Sequence, residues 1–139
     1  MKMNESEIDT LANQDVSNIL ESGRRHAESL GISVSIAVVD ESGHLRGFLR
    51  MDGASFMTVD IAIGKAWTSA AFRASSQAIE ESMAKAPAFA SSVAETMGGR
   101  FMPRQGGVLI GTAPGAVGVS GGSADQDEEI ATRAITAEV

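Results

Sequence analysis

The feature that most constrains the fold is a pair of apolar, strand-like segments separated by a short polar turn. Ile32 to Val39 is rich in β-branched residues, and Asp40 to Gly43 follows with the sequence Asp-Glu-Ser-Gly. The next segment, His44 to Met51, again has the composition of a strand. Because aspartate and glycine favour the conformations of tight turns, this pattern predicts a β-hairpin. The fold must therefore accommodate two antiparallel strands joined at Asp40 to Gly43.

Apolar residues recur at intervals of three and four on both sides of the hairpin, as in amphipathic helices. Before the hairpin they predict a helix from Ile8 to Leu30, which Gly31 ends. After it we expect helices at Phe56 to Phe72, Ser75 to Lys85, more weakly Ala88 to Gly99, and Ala124 to Thr136. Glycine-rich turns separate three further predicted strands, Phe101 to Arg104, Gly107 to Gly111 and Ala116 to Ser120. Since helices and strands are segregated along the chain, the predicted class is α+β with an antiparallel sheet.

Length and composition bound the organisation of the protein. With 139 residues, of which 43% are hydrophobic, the chain has the size of one globular domain covering residues 1–139. Only 4% of the residues are aromatic and 15 are glycine, so the core must consist of small aliphatic side chains in closely packed elements. Association with further copies would help such a chain bury enough surface.

Charge and cysteine content exclude several classes of function. The formal net charge is −7, which disfavours binding to nucleic acid or to an anionic membrane surface. Cysteine is absent, so disulfides, thiolate nucleophiles and cysteine-ligated metals are excluded. The first residues lack an apolar signal segment, and no 18-residue apolar run could cross a bilayer. The expected location is the cytoplasm.

Charged residues in and after the hairpin form the first candidate site. Arg46, Arg50 and Asp52 alternate with apolar or small residues, so strand geometry predicts that all three lie on one face. Lys65 and Thr68 are three residues apart on the following helix and therefore share one of its sides. If that helix packs beside the hairpin, a cationic pocket with hydrogen-bonding groups results.

Two interpretations of these charges remain open. Arg50 and Lys65 converging on a glycine-lined wall would grip a carboxylate, since arginine can form a bidentate pair with one. Alternatively, either cation forms an intramolecular salt bridge with Asp52 or Asp60. Sequence alone favours neither interpretation.

The polar motif near the C-terminus fits a structural role better than a ligand site. The glycines between Gly115 and Gly122 match neither the dinucleotide-binding nor the P-loop pattern. The acidic residues between Asp125 and Glu129 would repel phosphate and lack the spacing of a calcium-binding loop. Ser123 with Gln126 three residues later fits a helix capping box. The segment therefore predicts a well-capped helix start, and no metal site is expected.

Histidine is the usual general base and metal ligand, and the chain contains two. His26 lies on the first predicted helix, and His44 lies at the end of the turn, four residues after Asp40. His44 is therefore a candidate ligand-binding residue. The nucleophile elbow and the HExxH motif are both absent, so the sequence predicts no standard hydrolase mechanism.

Four sequence phrases together carry a resemblance to a known family. They are VSIAVVDESGHLRGFLRMDGA, DIAIGKAWTSAAF, the glycine pair Gly106 and Gly107, and AVGVSGGSADQDEEIA. The chain resembles the GlcG/HbpS family, also called the haem-degrading domain family, which includes the C-terminal domain of PduO-type proteins. The resemblance implies a profilin-like core with a five-stranded antiparallel sheet flanked by helices on both sides. It also implies dimers and higher homo-oligomers such as octamers.

The resemblance further implies a pocket near the subunit interface. This pocket is built from the hairpin and from the helix containing Lys65 and Thr68, and Gly106 and Gly107 complete it. In the haem-binding members a threonine is implicated in contacting haem iron, and Thr68 is its counterpart here. A threonine is a poor axial ligand, so haem binding would be weak and reversible.

Two functions from different classes follow. In the first, the protein is a binding module for haem, a corrinoid or another carboxylated ligand. Arg50 and Lys65 would pair with carboxylates of the ligand, Thr68 would face its metal, and Trp67 would give apolar contact. In the second, it is a cofactor-independent enzyme, a hydrolase, lyase or isomerase, acting on a small organic acid in a catabolic pathway. There Lys65 or Asp52 would be the acid or base, and Arg50 would anchor the carboxylate. The absence of a recognisable catalytic template favours the binding module.

Overall fold

The computed structural model describes residues 11–111 and 115–136 and contains five helices and four strands in these ranges. The elements are α1 (Asn13–Ser29), β1 (Ser35–Val39), β2 (Leu45–Arg50), α2 (Met57–Phe72), α3 (Ser76–Ala84), α4 (Pro87–Thr96), β3 (Gly107–Leu109), β4 (Ala116–Ser120) and α5 (Ala124–Thr136). The strands form one antiparallel sheet in the order β2-β1-β4-β3. None of the described helices combines the length and apolar character that a membrane span requires.

The predicted hairpin is present as β1 and β2, and its turn is held by local hydrogen bonds. The carboxylate of Asp40 accepts the backbone N–H groups of Ser42 and His44 at 2.9 and 3.0 Å. Gly43 adopts a φ of +83°, a conformation that costs glycine little. An aspartate that bonds the backbone ahead of it, followed by a left-handed glycine, is the turn chemistry that the sequence indicated.

Helices cover both faces of the sheet. Alternate residues of β1 and β4 point to opposite sides, and both strands are buried along their whole length. One face, represented by Ile36 and Val119, packs in a single apolar cluster with α1 and α5. The other face, represented by Ala37 and Ala116, packs against α2. The two central strands are therefore enclosed by helices on either side.

Helix α2 approaches the central strand β4 unusually closely. A Cβ atom added to Gly118 would lie 2.1 Å from the carbonyl oxygen of Ala62 and 2.5 Å from the backbone nitrogen of Ala66. These are backbone atoms, which cannot rotate away as a side chain can. The contact therefore requires glycine on the strand and small residues on the helix, which explains why the core uses few aromatic side chains.

The sheet has four strands, so the expectation of five is wrong. The predicted strand at Phe101 to Arg104 is irregular. Phe101 instead packs on Phe72, with ring centroids 5.6 Å apart, and the N–H of Met102 donates to the Thr68 hydroxyl. Pro103 has no N–H to contribute to a sheet. These contacts direct the segment onto α2 and away from a strand partner.

Other boundaries differ from the prediction, and strand β1, for example, begins at Ser35, three residues after its predicted start at Ile32. Helix α1 begins at Asn13, after an extended Ala12, and its predicted first residues Ile8 to Thr10 lie outside the described residues. Strand β3 ends at Leu109, two residues before its predicted end at Gly111. The remaining helices α2 to α5 lie within three residues of their predicted ends.

The close approach at Gly118 yields a stability prediction. We expect Gly118→Ala to lower the free energy of unfolding by at least about 2 kcal/mol, because its Cβ would overlap backbone atoms that must then move. Gly23→Ala on α1 is the control, since its Cβ would come within 3.0 Å only of the flexible end of the Ile36 side chain and would meet no backbone atom. Urea unfolding of both variants measures the difference, and equal stability of Gly118→Ala and wild type would contradict the prediction.

Candidate functional site

The predicted site residues lie in three separate places. The first is a buried cluster at the end of β4, which we call the lysine cluster and which contains Lys65, Thr68, Gly106 and Gly107. The second is a groove beside the hairpin turn, the tryptophan groove, which contains Trp67 and is lined by Gly43, the residue before His44. The third is a cleft at the open end of the hairpin, the arginine cleft, which contains Arg50 and Asp52.

Lys65 is the centre of the lysine cluster and is only 5% exposed. Its Nζ donates to the carbonyl oxygen of Val119 at 2.8 Å and to Oδ2 of Asp127 at 3.1 Å. The other oxygen of Asp127 accepts the backbone N–H of Gly122 at 2.8 Å. The ammonium group therefore connects α2 to the end of β4 and to the start of α5. Its salt-bridge partner is neither Asp52 nor Asp60, the two acids that the sequence suggested.

The buried position changes the acidity of Asp127. Burial raises the pKa of this carboxyl group above its ordinary value of 3.8, because the ionised form loses its hydration. The charge of Lys65 and the N–H of Gly122 act in the opposite direction and offset part of this increase. The ion pair is therefore a structural contact: its burial costs solvation free energy, while the attraction between its charges contributes favourable free energy.

The other members of the lysine cluster join α2 to the chain that leads into β3. Thr68 is fully buried, and its hydroxyl accepts the N–H of Met102 at 2.8 Å. Gly107 donates its N–H to Ser76 Oγ at 2.7 Å, and a Cβ added to it would lie 2.5 Å from the Lys65 carbonyl oxygen. A Cβ added to Gly106 would lie 2.8 Å from Nζ of Lys65. Both glycines thus make room for α2 and its lysine.

The tryptophan groove is an open depression of about 440 Å³ between the hairpin turn and α2. Trp67 and Ile63 supply its apolar surface, while Asp60 and Arg100 are its charged groups. Four glycines complete the lining, namely Gly43, Gly64, Gly98 and Gly99. Because glycines carry no side chain, the backbone itself forms much of the wall.

His44 directly follows Gly43, which lines this groove, but is not itself one of the lining residues. Its side chain is 81% exposed, and Nδ1 lies 3.8 Å from Oδ2 of Asp40, beyond hydrogen-bond distance. The other histidine, His26, is partly buried, and its Nε2 lies 2.6 Å from Oε2 of Glu129. Of the two imidazoles, that of His44 is the one open to a ligand.

The arginine cleft has a volume of about 490 Å³ and lies between the end of α1 and the end of β2. Arg24 and Glu28 line it from the helix, and Arg50 and Asp52 line it from the strand side. Nε of Arg50 donates to the carbonyl oxygen of Ala54 at 3.1 Å, which fixes the guanidinium group. Lys65 does not reach this cleft, so the structure does not bring the two predicted cations together.

Arg46 does not share a face with Arg50 and Asp52, so that prediction is wrong. The pairing register shifts between Val38 and Val39, and the shift leaves Arg46 as the extra residue of a β-bulge. Its guanidinium group turns to the start of α1, where it donates to the carbonyl oxygen of Leu11 at 2.9 Å. A bulge breaks the period of two on which the face assignment depended.

The capping box at the start of α5 is present. Ser123 Oγ accepts the N–H of Gln126 at 3.2 Å, and Gln126 Oε1 accepts the N–H of Ser123 at 2.9 Å. The described ranges contain no cluster of three or more histidine or acidic side chains placed to hold a metal ion. The acidic residues of this turn bind protein groups: Asp125 and Glu128 both accept from the Gln105 side chain.

Sequence reasoning missed several residues that line these places. The sequence pattern indicated Asp127 only as one of the acidic residues at the start of the last helix, although it lies three and four residues before the buried Ile130 and Ala131. A carboxylate on the apolar stripe of a helix is a signal that could have identified it as the partner of a buried cation. Arg24 and Arg100 come from distant segments, and no local pattern indicated their positions.

This geometry defines the class of the protein: a small α+β protein with two depressions that are open to solvent beside one hairpin. A family model described as haem degrading protein HbpS-like matches residues 11–136. The chain therefore belongs to this family, which confirms the resemblance to GlcG/HbpS proteins.

Individual relatives support the same assignment. Corrinoid adenosyltransferase PduO of Citrobacter freundii is 29% identical over 131 residues, which cover 92% of this chain and 39% of the relative. The chain thus spans about two fifths of the length of that protein. The crystal structure of PduOC in complex with haem has a TM-score of 0.81 at 26% identity, covering 91% of this chain and 93% of that one. A double mutant of HbpS from Streptomyces reticuli gives 0.78 at 28% identity, covering 93% and 87%.

The raised pKa of Asp127 predicts a pH dependence of stability. A carboxyl group whose pKa is raised by folding contributes stability below its unfolded pKa and loses that contribution as the pH rises through the folded pKa. We therefore expect the free energy of unfolding of the wild type, relative to Asp127→Asn, to decrease as the pH rises above about 4.

Urea unfolding of the two proteins over a range of pH measures this difference. Asp125→Asn, which removes an exposed carboxylate from the same helical turn, controls for the change in net charge. The raised pKa of Asp127 would be contradicted if the free energy of unfolding of the wild type, relative to that of Asp127→Asn, stayed constant or increased with pH.

Proposed function

We propose that this protein binds a planar, carboxylated small molecule such as haem or a corrinoid in the tryptophan groove. The observation that carries the proposal is the combination of an accessible indole, a glycine wall and one arginine in a single depression beside the hairpin turn. Ligand sites are typically concave and largely apolar, with a few charged groups that fix orientation. The groove is concave and combines an apolar indole with two charged groups.

Each group in the groove has a part in holding such a ligand. The indole of Trp67 offers a flat apolar surface on which a conjugated ring system can stack. The glycines allow a broad ligand to approach the backbone, since no side chain stands in the way. Arg100 can pair with a carboxylate through two parallel hydrogen bonds, and Asp60 can accept a hydrogen bond from a polar substituent.

The residues present also fit the metal of a haem. An imidazole is a common ligand of haem iron, and that of His44 is exposed on the residue next to Gly43, which lines the groove. Bound haem would supply redox chemistry at its iron. Thr68, the residue that the resemblance indicated, is buried and already accepts a hydrogen bond. We therefore place iron ligation on His44 ahead of Thr68.

The comparisons support the choice of haem over other planar ligands. PduOC was solved as a haem complex, and the family is described as haem degrading. The similarity to a corrinoid adenosyltransferase keeps a corrinoid as the second ligand, since this macrocycle is also broad and carries polar side groups. An enzyme that uses Lys65 as its base is less well supported, because Nζ is buried and donates to two acceptors.

We also propose that the protein is a homo-oligomer and that α4 contributes to the contact between copies. Within the described residues this helix packs mainly against α3, and none of its residues is buried. Phe89 on α4 is 55% exposed, and an aromatic side chain contributes a large buried apolar area when another surface covers it. A neighbouring copy of the chain would cover it. The loop Gly98 to Gly99 follows α4 and lines the groove, so this contact would lie near the ligand.

Titration with haemin tests the proposed ligand. We expect the wild type to shift and sharpen the Soret band in a saturable manner, and His44→Ala to weaken binding about tenfold, as the loss of one good contact would do. His26→Ala is the matched control, since it removes the only other histidine and should leave the affinity unchanged. Absence of a Soret change in the wild type, or an equal loss in both variants, would overturn the proposal.

Measurement of mass in solution tests the proposed assembly. We expect light scattering after gel filtration to give a mass of at least two chains for the wild type. Phe89→Glu should reduce that mass, because a charge replaces the exposed aromatic side chain at the contact. Ser91→Glu places the same charge on another side of α4 and should leave the mass unchanged. A wild type that is monomeric at all concentrations would contradict the proposal.

A further inference from the structure

The arginine cleft lies at the end of the hairpin opposite to the tryptophan groove. The groove lies beside Gly43 in the turn, whereas the cleft lies beside Arg50 at the far end of β2. The six residues of β2 separate the two places by roughly 20 Å. A ligand in the cleft would therefore occupy a site of its own, and its binding does not depend on the proposed function of the groove.

The cleft contains two arginines, but only Arg50 retains free donors. Arg24 is bound by Glu21 and Glu28, which neighbour it on successive turns of α1. Arg50 uses Nε on the carbonyl oxygen of Ala54, and within the described residues its two terminal nitrogens have no hydrogen-bond partner. A guanidinium group held at Nε with a free terminal edge is suited to a bidentate carboxylate contact.

A free acceptor lies beside this free donor. Asp52 forms no hydrogen bond or ion pair with any other described residue, although it lines the same cleft. The formal charges of the lining cancel, since the two arginines are matched by Glu28 and Asp52. A dianion would therefore meet as much repulsion as attraction, and a monoanion that also carries a hydrogen-bond donor fits better.

The remaining surface limits the size and character of the ligand. Ile32, Leu49 and Met51 supply apolar atoms between the charged groups. We propose that the arginine cleft binds a small monocarboxylic acid carrying a hydroxyl or an ammonium group, with its carboxylate on Arg50 and its donor on Asp52. The short carbon chain of such an acid contacts the apolar surface between them.

Three probes of equal carbon number test this proposal by NMR titration of the full-length, ¹⁵N-labelled protein. Lactate carries a hydroxyl, alanine an ammonium group, and propionate neither. We expect lactate or alanine to shift the amide signals of residues 31–33 and 50–52 saturably, and about fivefold more tightly than propionate, as one added hydrogen bond would cause. The tighter of the two identifies whether the natural ligand is a hydroxy acid or an amino acid.

Two variants separate the roles of the charged groups. Arg50→Gln should abolish the shifts for all three probes, whereas Asp52→Asn should bring lactate and alanine to the affinity of propionate. Arg133→Gln, on the exposed side of α5, removes the same charge and should change nothing. The proposal is overturned if no probe binds the wild type saturably, if all three bind equally, or if Arg50→Gln binds as the wild type does. None of these results affects the haemin titration, so the two proposals fail independently.

Discussion

The contact on which the remaining arrangement depends is the buried pair of Lys65 and Asp127. It lies where β4 leads into α5, and through it α2 on one face of the sheet is bound to a helix on the other. A buried ion pair stabilises little by itself, because both charges lose hydration. Its members are nevertheless strongly interdependent, since either charge left alone would be buried without a partner. The pair therefore fixes the position of α2 more than it increases stability.

The position of α2 in turn determines what surface is left for ligands. Gly118 on the strand and Gly64 on the helix permit close contacts on opposite sides of α2, with β4 and with the segment around Met102. A helix held this tightly turns Lys65 and Thr68 inward. Trp67, between them in sequence, is turned outward to the hairpin turn. The segment Lys65 to Thr68 thus supplies both the buried contacts of α2 and the indole that is accessible in the groove.

Local chemistry accounts for the parts of the fold that the sequence predicted well. The hairpin follows from Asp40 and Gly43, and α5 begins at its predicted residue because Ser123 and Gln126 cap its start. The largest errors involve contacts between distant segments. Phe101 to Arg104 has strand-like composition but packs on α2, and Arg46 is displaced by a bulge whose register depends on the partner strand. The partner of Lys65 is 62 residues away, so spacing could not identify it.

The sequence predicted one pocket for the candidate site. In the structure its residues lie in separate places, some buried and some exposed. A buried charge such as that of Lys65 must satisfy its hydrogen bonds within the protein, and a ligand could recruit it only by breaking them. An exposed charge such as that of Arg50 contributes little to folding, because water screens it and solvates it well. Its free donors are therefore available at small cost to a ligand that excludes water from the cleft. By the same reasoning Arg100 in the groove and Arg50 in the cleft are the cations suited to carboxylate binding, while Lys65 holds in place the helix that forms one wall of the groove.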